Sequence, residues 1–268
     1  MRDKPDRKRS VHHRNGTILP GLKNMNAEAK DSDRNRYERQ TPIIGQAGQT
    51  ALEAASAAII GLGGLGSPAA TYMAAVGFGE LILVDHDLVS LPDLNRQFVH
   101  RTDDVNLAKS ESARNNLKEL NPEVSLETRE LELDENTISA LPETDLIVGS
   151  VDNFQARFLL NELAVERGIP YIHGAVEGFR GQLTTVIPGE SPCLHCIFSE
   201  APTNEDSPPV LGVAAGVIGT LMASEAIKYV AETGDLMAGK FLTVDLADNA
   251  FEVIKLERNP DCPTCGSP

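Results

Sequence analysis

From residue 56 the chain alternates short unbroken apolar runs with longer stretches in which apolar residues recur every three or four positions. Residues 56–61 (SAAIIG) and 80–85 (ELILVD) are continuous apolar runs, and between them 65–77 (LGSPAATYMAAVG) carries small and apolar residues at helical spacing. Only strands covered on both faces read as unbroken apolar runs, so the pattern predicts a strand–helix–strand unit with parallel strands. The alternation continues. Residues 107–122 (LAKSESARNNLKELNP) predict a helix closed by Pro122, 124–133 (VSLETRELEL) alternate like a strand, and 144–152 (TDLIVGSVD) form another buried strand. A helix over 153–168 (NFQARFLLNELAVERG) follows, stopped by Gly168. This order predicts an α/β fold, an open doubly wound Rossmann-like sheet.

Both ends depart from that rhythm. Residues 1–35 lack periodicity and are dense in charge, which predicts a disordered arm, with Met25 as an alternative start. Residues 37–55 (YERQTPIIGQAGQTALEAA) predict a short amphipathic lead into a helix ending near Ala55. After Pro170 the pattern shifts to strands over 171–189 and a long helix over 210–234 rich in small residues. A hairpin over 240–259 follows, turning at Ala-Asp-Asn. We therefore expect a single domain over 36–268, with a nucleotide-binding part at 36–170 and an α+β part at 171–268.

Charge narrows the partners. The formal net charge is −15, yet residues 1–40 hold 11 of the 24 Lys and Arg and only 6 of the 39 Asp and Glu. A body this acidic repels phosphate backbones and anionic lipid, so we expect no nucleic acid and no membrane as partner. The longest stretch without charge, 54–79, is interrupted by six glycines and Pro68, which reads as a strand, a turn and a helix rather than a membrane span. No apolar segment follows the charged start in the manner of a signal peptide, so the expected location is cytoplasmic.

Three features carry chemistry. Residues 61–66 (GLGGLG) satisfy G-x-G-x-x-G through Gly61, Gly63 and Gly66, with Gly64 between, directly after one predicted strand and before a helix. Such a turn lets backbone approach phosphate at a helix N-terminus. Asp85 ends the next strand, where a carboxylate accepts ribose hydroxyls. The signal is for a nucleotide, and ATP and NAD remain open at this point. All four cysteines lie in two C-x-x-C pairs, Cys193/Cys196 and Cys262/Cys265, which suits a closed four-sulfur structural zinc site. Finally, Arg36 and Arg39 precede the first helix, Arg96 follows the Asp85 strand, Lys109 opens a helix, and Asp152 and Asn153 end an apolar strand. Several of these follow the carboxyl ends of predicted parallel strands, where open α/β sheets hold ligands.

The ordered motifs R-Y-x-R-Q, G-L-G-G-L-G, strand-D-x-D, L-N-R-Q, K-x-E-S-A, D-N, C-x-x-C, G-V-I-G, E-A-I-K and C-x-x-C resemble the MoeB/ThiF/HesA family, relatives of the ubiquitin-activating enzyme, over roughly 36–266. The resemblance implies ATP rather than NAD. It also implies magnesium, a homodimer, and a ubiquitin-like sulfur-carrier protein of the MoaD/ThiS kind, whose C-terminal Gly-Gly carboxylate is adenylated with release of pyrophosphate. By the same resemblance Asp85 holds the ribose, Arg96 and Lys109 the outer phosphates, and Asp152 positions magnesium. Arg39 reaches the triphosphate of the other subunit. Asp87, Asp93, Asn95, Gln97 and Asn153 fall in the matching nucleotide motifs.

Two departures stand out. The family's S-N-L-N-R-Q reads PDLNRQ here, so Asp93 sets an anion near the phosphates. The crossover loop at 199–212 (SEAPTNEDSPPVLG) holds no cysteine where many relatives carry one for a thioester or persulfide. With four thiolates on zinc, no sulfur nucleophile remains, so the expectation is an enzyme that stops at the adenylate and relies on a separate sulfur donor. The alternatives are a non-catalytic zinc-stabilised scaffold and a nicotinamide-dependent oxidoreductase.

Overall fold

The computed structural model describes residues 36–198 and 209–266. The predicted arm over 1–35 and most of the crossover loop lie outside the described residues. The fold is that of the unit that begins at Tyr37.

The first half runs α1 (Thr41–Ala54), β1 (Ser56–Ile60), α2 (Gly66–Val76), β2 (Glu80–Val84), α3 (Lys109–Leu120), β3 (Ser125–Arg129), β4 (Leu146–Gly149) and α4 (Phe154–Arg167). The second half adds β5 (Tyr171–Glu177), β6 (Arg180–Val186), a single turn α5 (Leu194–Ile197), α6 (Gly212–Val230), β7 (Lys240–Asp245) and β8 (Ala250–Lys255). One sheet takes all eight strands in the order β3-β2-β1-β4-β5-β6-β7-β8. β1 to β5 are mutually parallel, and from β5 onward each pair is antiparallel.

The apolar runs are unbroken because both faces of the parallel strands are buried. Along β1, Ala57 and Ile59 join one core cluster with α2, α3 and α6, while Ala58 and Ile60 join a second with α4 and the cysteines. The fold class predicted from the alternation is the one observed. Two boundaries differ. The strand predicted over 124–133 ends at Arg129, because Leu131 and Leu133 turn out of the sheet to pack on the second cluster. The first helix is broken at Gly45, whose φ of 76° no helix contains.

Helix α6 is, among the described residues, the helix long and apolar enough to cross a membrane. Here that character serves the core: Ala214, Ile218, Met222 and Ala226 are buried. The E-A-I-K segment anchors it. Glu225, 2% exposed, accepts hydrogen bonds from Thr185 Oγ1 at 2.6 Å and the Met237 N–H at 2.7 Å, and pairs with Lys228. Truncation leaves a buried hydroxyl and a partly buried N–H without their acceptor. We expect Glu225→Ala to lose about 2–4 kcal/mol of unfolding free energy in urea titration; a loss under about 1 kcal/mol contradicts the anchoring role.

Candidate active site

A cavity of about 540 Å³ opens beyond the carboxyl ends of β1, β2 and β4. β1 lies between β2 and β4, and the helices that follow β1 and β4 cover opposite faces of the sheet. The chain therefore diverges at this point and leaves a crevice. Of the sequence-predicted residues, Gly61, Gly63, Gly64, Asp85, Asp87, Asp93, Arg96, Gln97, Lys109, Asp152 and Asn153 line it. Gly66, Asn95 and Arg39 do not.

The glycine turn is held tightly. Gly61 has φ of 88°, and a Cβ on it would sit 2.7 Å from the Ser150 carbonyl oxygen. A Cβ on Gly66 would overlap the Gly61 carbonyl, so Gly66 serves the packing of the turn onto α2. Ser150 Oγ donates to the carbonyls of Ile60 and Gly61 at 2.9 and 2.7 Å, stitching the end of β4 to the turn. Across β1, buried Asp85 accepts the Leu62 N–H at 2.7 Å on one oxygen and the Asp87 N–H at 2.9 Å on the other. Each oxygen keeps room for a second donor.

The charges come in pairs. Lys109 Nζ lies 2.9 Å from Asp87 and 3.8 Å from Asp93. Arg96 Nη2 lies 3.3 Å from Asp93 Oδ1. Asp93 is thereby not the loose anion its sequence position suggests. It is buried, caps a 3₁₀ turn at Leu91–Asp93 by accepting the Ser90 N–H (3.0 Å) and Oγ–H (2.6 Å), and accepts from Gln97 at 2.9 Å. Burial alone would raise its pKa, but the Ser90 hydrogen bonds and the nearby Lys109 and Arg96 outweigh it and hold the carboxyl below its ordinary value. Asn95 is exposed and accepts from Arg96 at 3.2 Å. Asn153 caps α4, accepting the Ala156 N–H at 2.8 Å. Arg39 is exposed in the turn before α1, a segment pinned by Tyr37, whose hydroxyl donates to Glu123 at 2.9 Å and accepts from Asn121 at 3.0 Å.

Sequence reading missed several groups. His100 is buried beneath the turn, with Nε2 3.2 Å from the Leu62 carbonyl and Nδ1 2.8 Å from Ser112 Oγ. Arg157 also lines the cavity. Its signal was readable, because positions 157, 160, 161 and 164 form the buried face of α4 and an arginine in such a stripe is anomalous. Tyr171 and His173 on β5 are fully buried, and neither the Tyr171 hydroxyl nor either His173 nitrogen has a hydrogen-bond partner among the described residues. Nothing in the apolar run around them marks that.

The four cysteines converge. Cys193 Sγ lies 3.6 Å from Cys262 Sγ and Cys196 Sγ 3.4 Å from Cys265 Sγ, and all four sulfurs fall within 4.8 Å of one another. Four sulfurs about 2.3 Å from one tetrahedral ion stand about 3.8 Å apart, so the cluster fits a single closed site. Burial pushes the Cys193 thiol well above its ordinary value, so a cation is what would make it a thiolate ligand. His195 stays out of the sulfur set: it stacks on Phe158 at 4.3 Å and meets Thr264 Oγ1 at 2.9 Å. Asp85, His86 and Asp87 form a second set of adjacent donor atoms, inside the cavity.

The sequence profile of the ThiF family matches residues 37–264. The chain belongs to the ThiF family. It is 41% identical over 240 residues to the SAMP-activating enzyme E1 of Haloferax volcanii, covering 87% of this chain and 88% of that one. It is 38% identical over 245 residues to the sulfur carrier protein adenylyltransferase of Thermus thermophilus, covering 87% and 90%. The crystal structure of E. coli MccB with ATP superposes with a TM-score of 0.81 at 25% identity, covering 88% of this chain and 75% of that one. The family read from the motif order and the Rossmann-like fold class both stand.

His173 sets a pH dependence. Burial, with Arg157 adding to it, pushes its pKa down to about 3, whereas the unfolded chain titrates near 6.5. Between those values only the unfolded state takes up the proton, so stability falls as pH drops through that window, at up to about 1.4 kcal/mol per unit. We expect His173→Leu to lose up to about 2 kcal/mol less than wild type on going from pH 7 to pH 5 in urea titration. Identical losses in the two proteins would remove His173 from the account.

Proposed function

We propose that this protein is an ATP-dependent adenylyltransferase that activates the C-terminal Gly-Gly carboxylate of a ubiquitin-like sulfur carrier as an acyl-adenylate. The observation that carries the reading is one cavity in which the glycine turn, Asp85, Arg96, Lys109 and Asp152 all meet. A carboxylate oxygen of the carrier attacks the α-phosphorus of ATP, the bond to the bridging oxygen breaks, and pyrophosphate leaves with the electron pair. This chemistry needs positioning and charge neutralisation more than a covalent group.

The residues divide the work. Asp85, fixed and desolvated by two N–H donors, accepts the ribose hydroxyls on its remaining lone pairs. Arg96 and Lys109 take the outer phosphates, exchanging internal carboxylate partners for phosphate oxygens. Asp152 would hold magnesium, which supplies positive charge to the phosphates. Arg39, exposed and outside its own cavity, serves the site of a second copy, so the active form is a homodimer. Ser90 and Gln97 tie the carboxylate of Asp93 into the wall of the cavity, which speaks against a scaffold that has lost turnover through this anion. A nicotinamide-dependent oxidoreductase leaves Arg96 and Lys109 unexplained.

Cys193, Cys196, Cys262 and Cys265 would hold zinc as a structural clip, tying residues 69 positions apart and fitting a cytoplasm where thiols stay reduced. That leaves no thiol for a thioester, and sulfur arrives from a separate donor. We read 36–268 as one adenylation domain, its carrier and zinc functions in 171–268.

Two measurements test this. Carrier-dependent ATP–pyrophosphate exchange is expected, with Arg96→Ala and Lys109→Ala each lowering it at least about 100-fold and the intact mass of the enzyme unchanged after turnover. No exchange with any Gly-Gly-ending carrier sinks the adenylation reading, and a mass increase matching a carrier thioester or persulfide sinks the zinc-occupied thiols. Separately, elemental analysis is expected to find one zinc per chain, and its chelation to lower the melting temperature by at least about 10 °C. An unchanged melt means the cluster is not structural.

A further inference from the structure

Arg157 is a cation that the mechanism above leaves without a task. It sits at the start of α4, is 8% exposed, and lines the cavity. Among the described residues its guanidinium makes one hydrogen bond, from Nε to the Val151 carbonyl at 3.2 Å. The Phe154 ring lies under it, with Cζ 4.7 Å from the ring centroid. These two contacts fix the plane of the group and leave its Nη donors without an acceptor among the described residues. Burial pushes its pKa below the ordinary value, while Tyr171 and Asp152 act in the opposite sense. A desolvated cation with most of its donors unmatched is costly, and the cost is recovered when an anion enters from outside the chain.

The other two cavity cations differ in both partner and place. Arg96 and Lys109 already face Asp93 and Asp87. Arg96 also flanks the opposite side of the glycine turn: Gly64 faces Arg96 and Gly63 faces Gln97, whereas Gly61 lies against Ser150 at the end of β4, the strand that leads into α4 and Arg157. With the ribose at Asp85 and the outer phosphates at Arg96 and Lys109, the α-phosphate is the phosphoryl group left without a cation, and Arg157 is the cavity cation left without a hydrogen-bonded carboxylate among the described residues.

We propose that Arg157 is a catalytic residue that contacts the α-phosphoryl oxygens of ATP while the carrier's carboxylate attacks. The inference rests on the adenylation reading and deepens it. In that step two anions must approach each other: a carboxylate oxygen bonds to the α-phosphorus, the bridging oxygen departs with the electron pair as pyrophosphate, and no proton moves. A guanidinium held in place by Val151 and Phe154 offsets the repulsion without reorganising, and its paired Nη donors can span two oxygens at once. Asp152 acts on Arg157 as a nearby counter-charge.

The test is single-turnover formation of acyl-adenylate from ATP–magnesium and a Gly-Gly-ending carrier, both saturating, beside equilibrium ATP binding. Arg157→Gln is expected to slow adenylate formation about 10²–10³-fold while ATP affinity changes less than about fivefold, since the contact strengthens in the transition state. Arg157→Lys, which keeps charge but loses the fork, is expected to be slowed about tenfold. Melting curves identify which variants are folded, and the lysine variant serves if the glutamine variant is not. A wild-type rate in either folded variant overturns the proposal, as does a loss of rate matched by an equal loss of ATP affinity. Wild-type protein that forms no adenylate would instead sink the adenylation reading itself.

Discussion

Strands β1 and β4 lie side by side and run the same way, yet the helices that follow them must cover opposite faces of the sheet. That single requirement opens the crevice. It sends the glycine turn one way and the Asp152–Arg157 segment the other, and Ser150 then sews the two diverging ends together through the carbonyls of Ile60 and Gly61. Asp85 grips the turn from the β2 side through the Leu62 N–H. The glycine turn, Asp85, Asp152 and Arg157 are hung on this junction, so its rigidity sets how well these groups can be aimed.

Gathering cations for a polyanionic substrate raises a problem of its own, since like charges in a partly buried cavity repel. The solution here is provisional pairing. Lys109 leans on Asp87, Arg96 on Asp93, and Asp93 is itself tied into a capped 3₁₀ turn by Ser90. The aspartate at position 93 thus becomes a local crosslink. Arg157 alone among these three lacks a hydrogen-bonded carboxylate among the described residues, which is why the reacting phosphate suggests itself as its counter-charge.

The cysteine cluster lies on the second face of the sheet, within the core cluster that covers α4. An aromatic chain joins the two regions: His195 stacks on Phe158, Phe154 meets both Phe158 and Phe198, and Phe154 underlies Arg157. Packing of the C-terminal segment is therefore continuous with the wall of the cavity.

The unbroken apolar runs of β1, β2 and β4 specified a two-faced parallel sheet, because such runs have no other stable burial. The G-L-G-G-L-G turn with Asp85 nineteen residues on, and the two C-x-x-C pairs, were equally legible, since each encodes its chemistry in local spacing. The early end of β3 was not, because Leu131 and Leu133 leave the sheet for a core that only the folded chain assembles. Nor could spacing tell that Gly66 packs against the Gly61 carbonyl, that Asp93 is bonded to Ser90, Gln97 and Arg96, or that Arg157, Tyr171 and His173 are buried. Those facts depend on which distant surfaces meet: periodicity fixes which face of an element is covered, and tertiary packing alone decides by what.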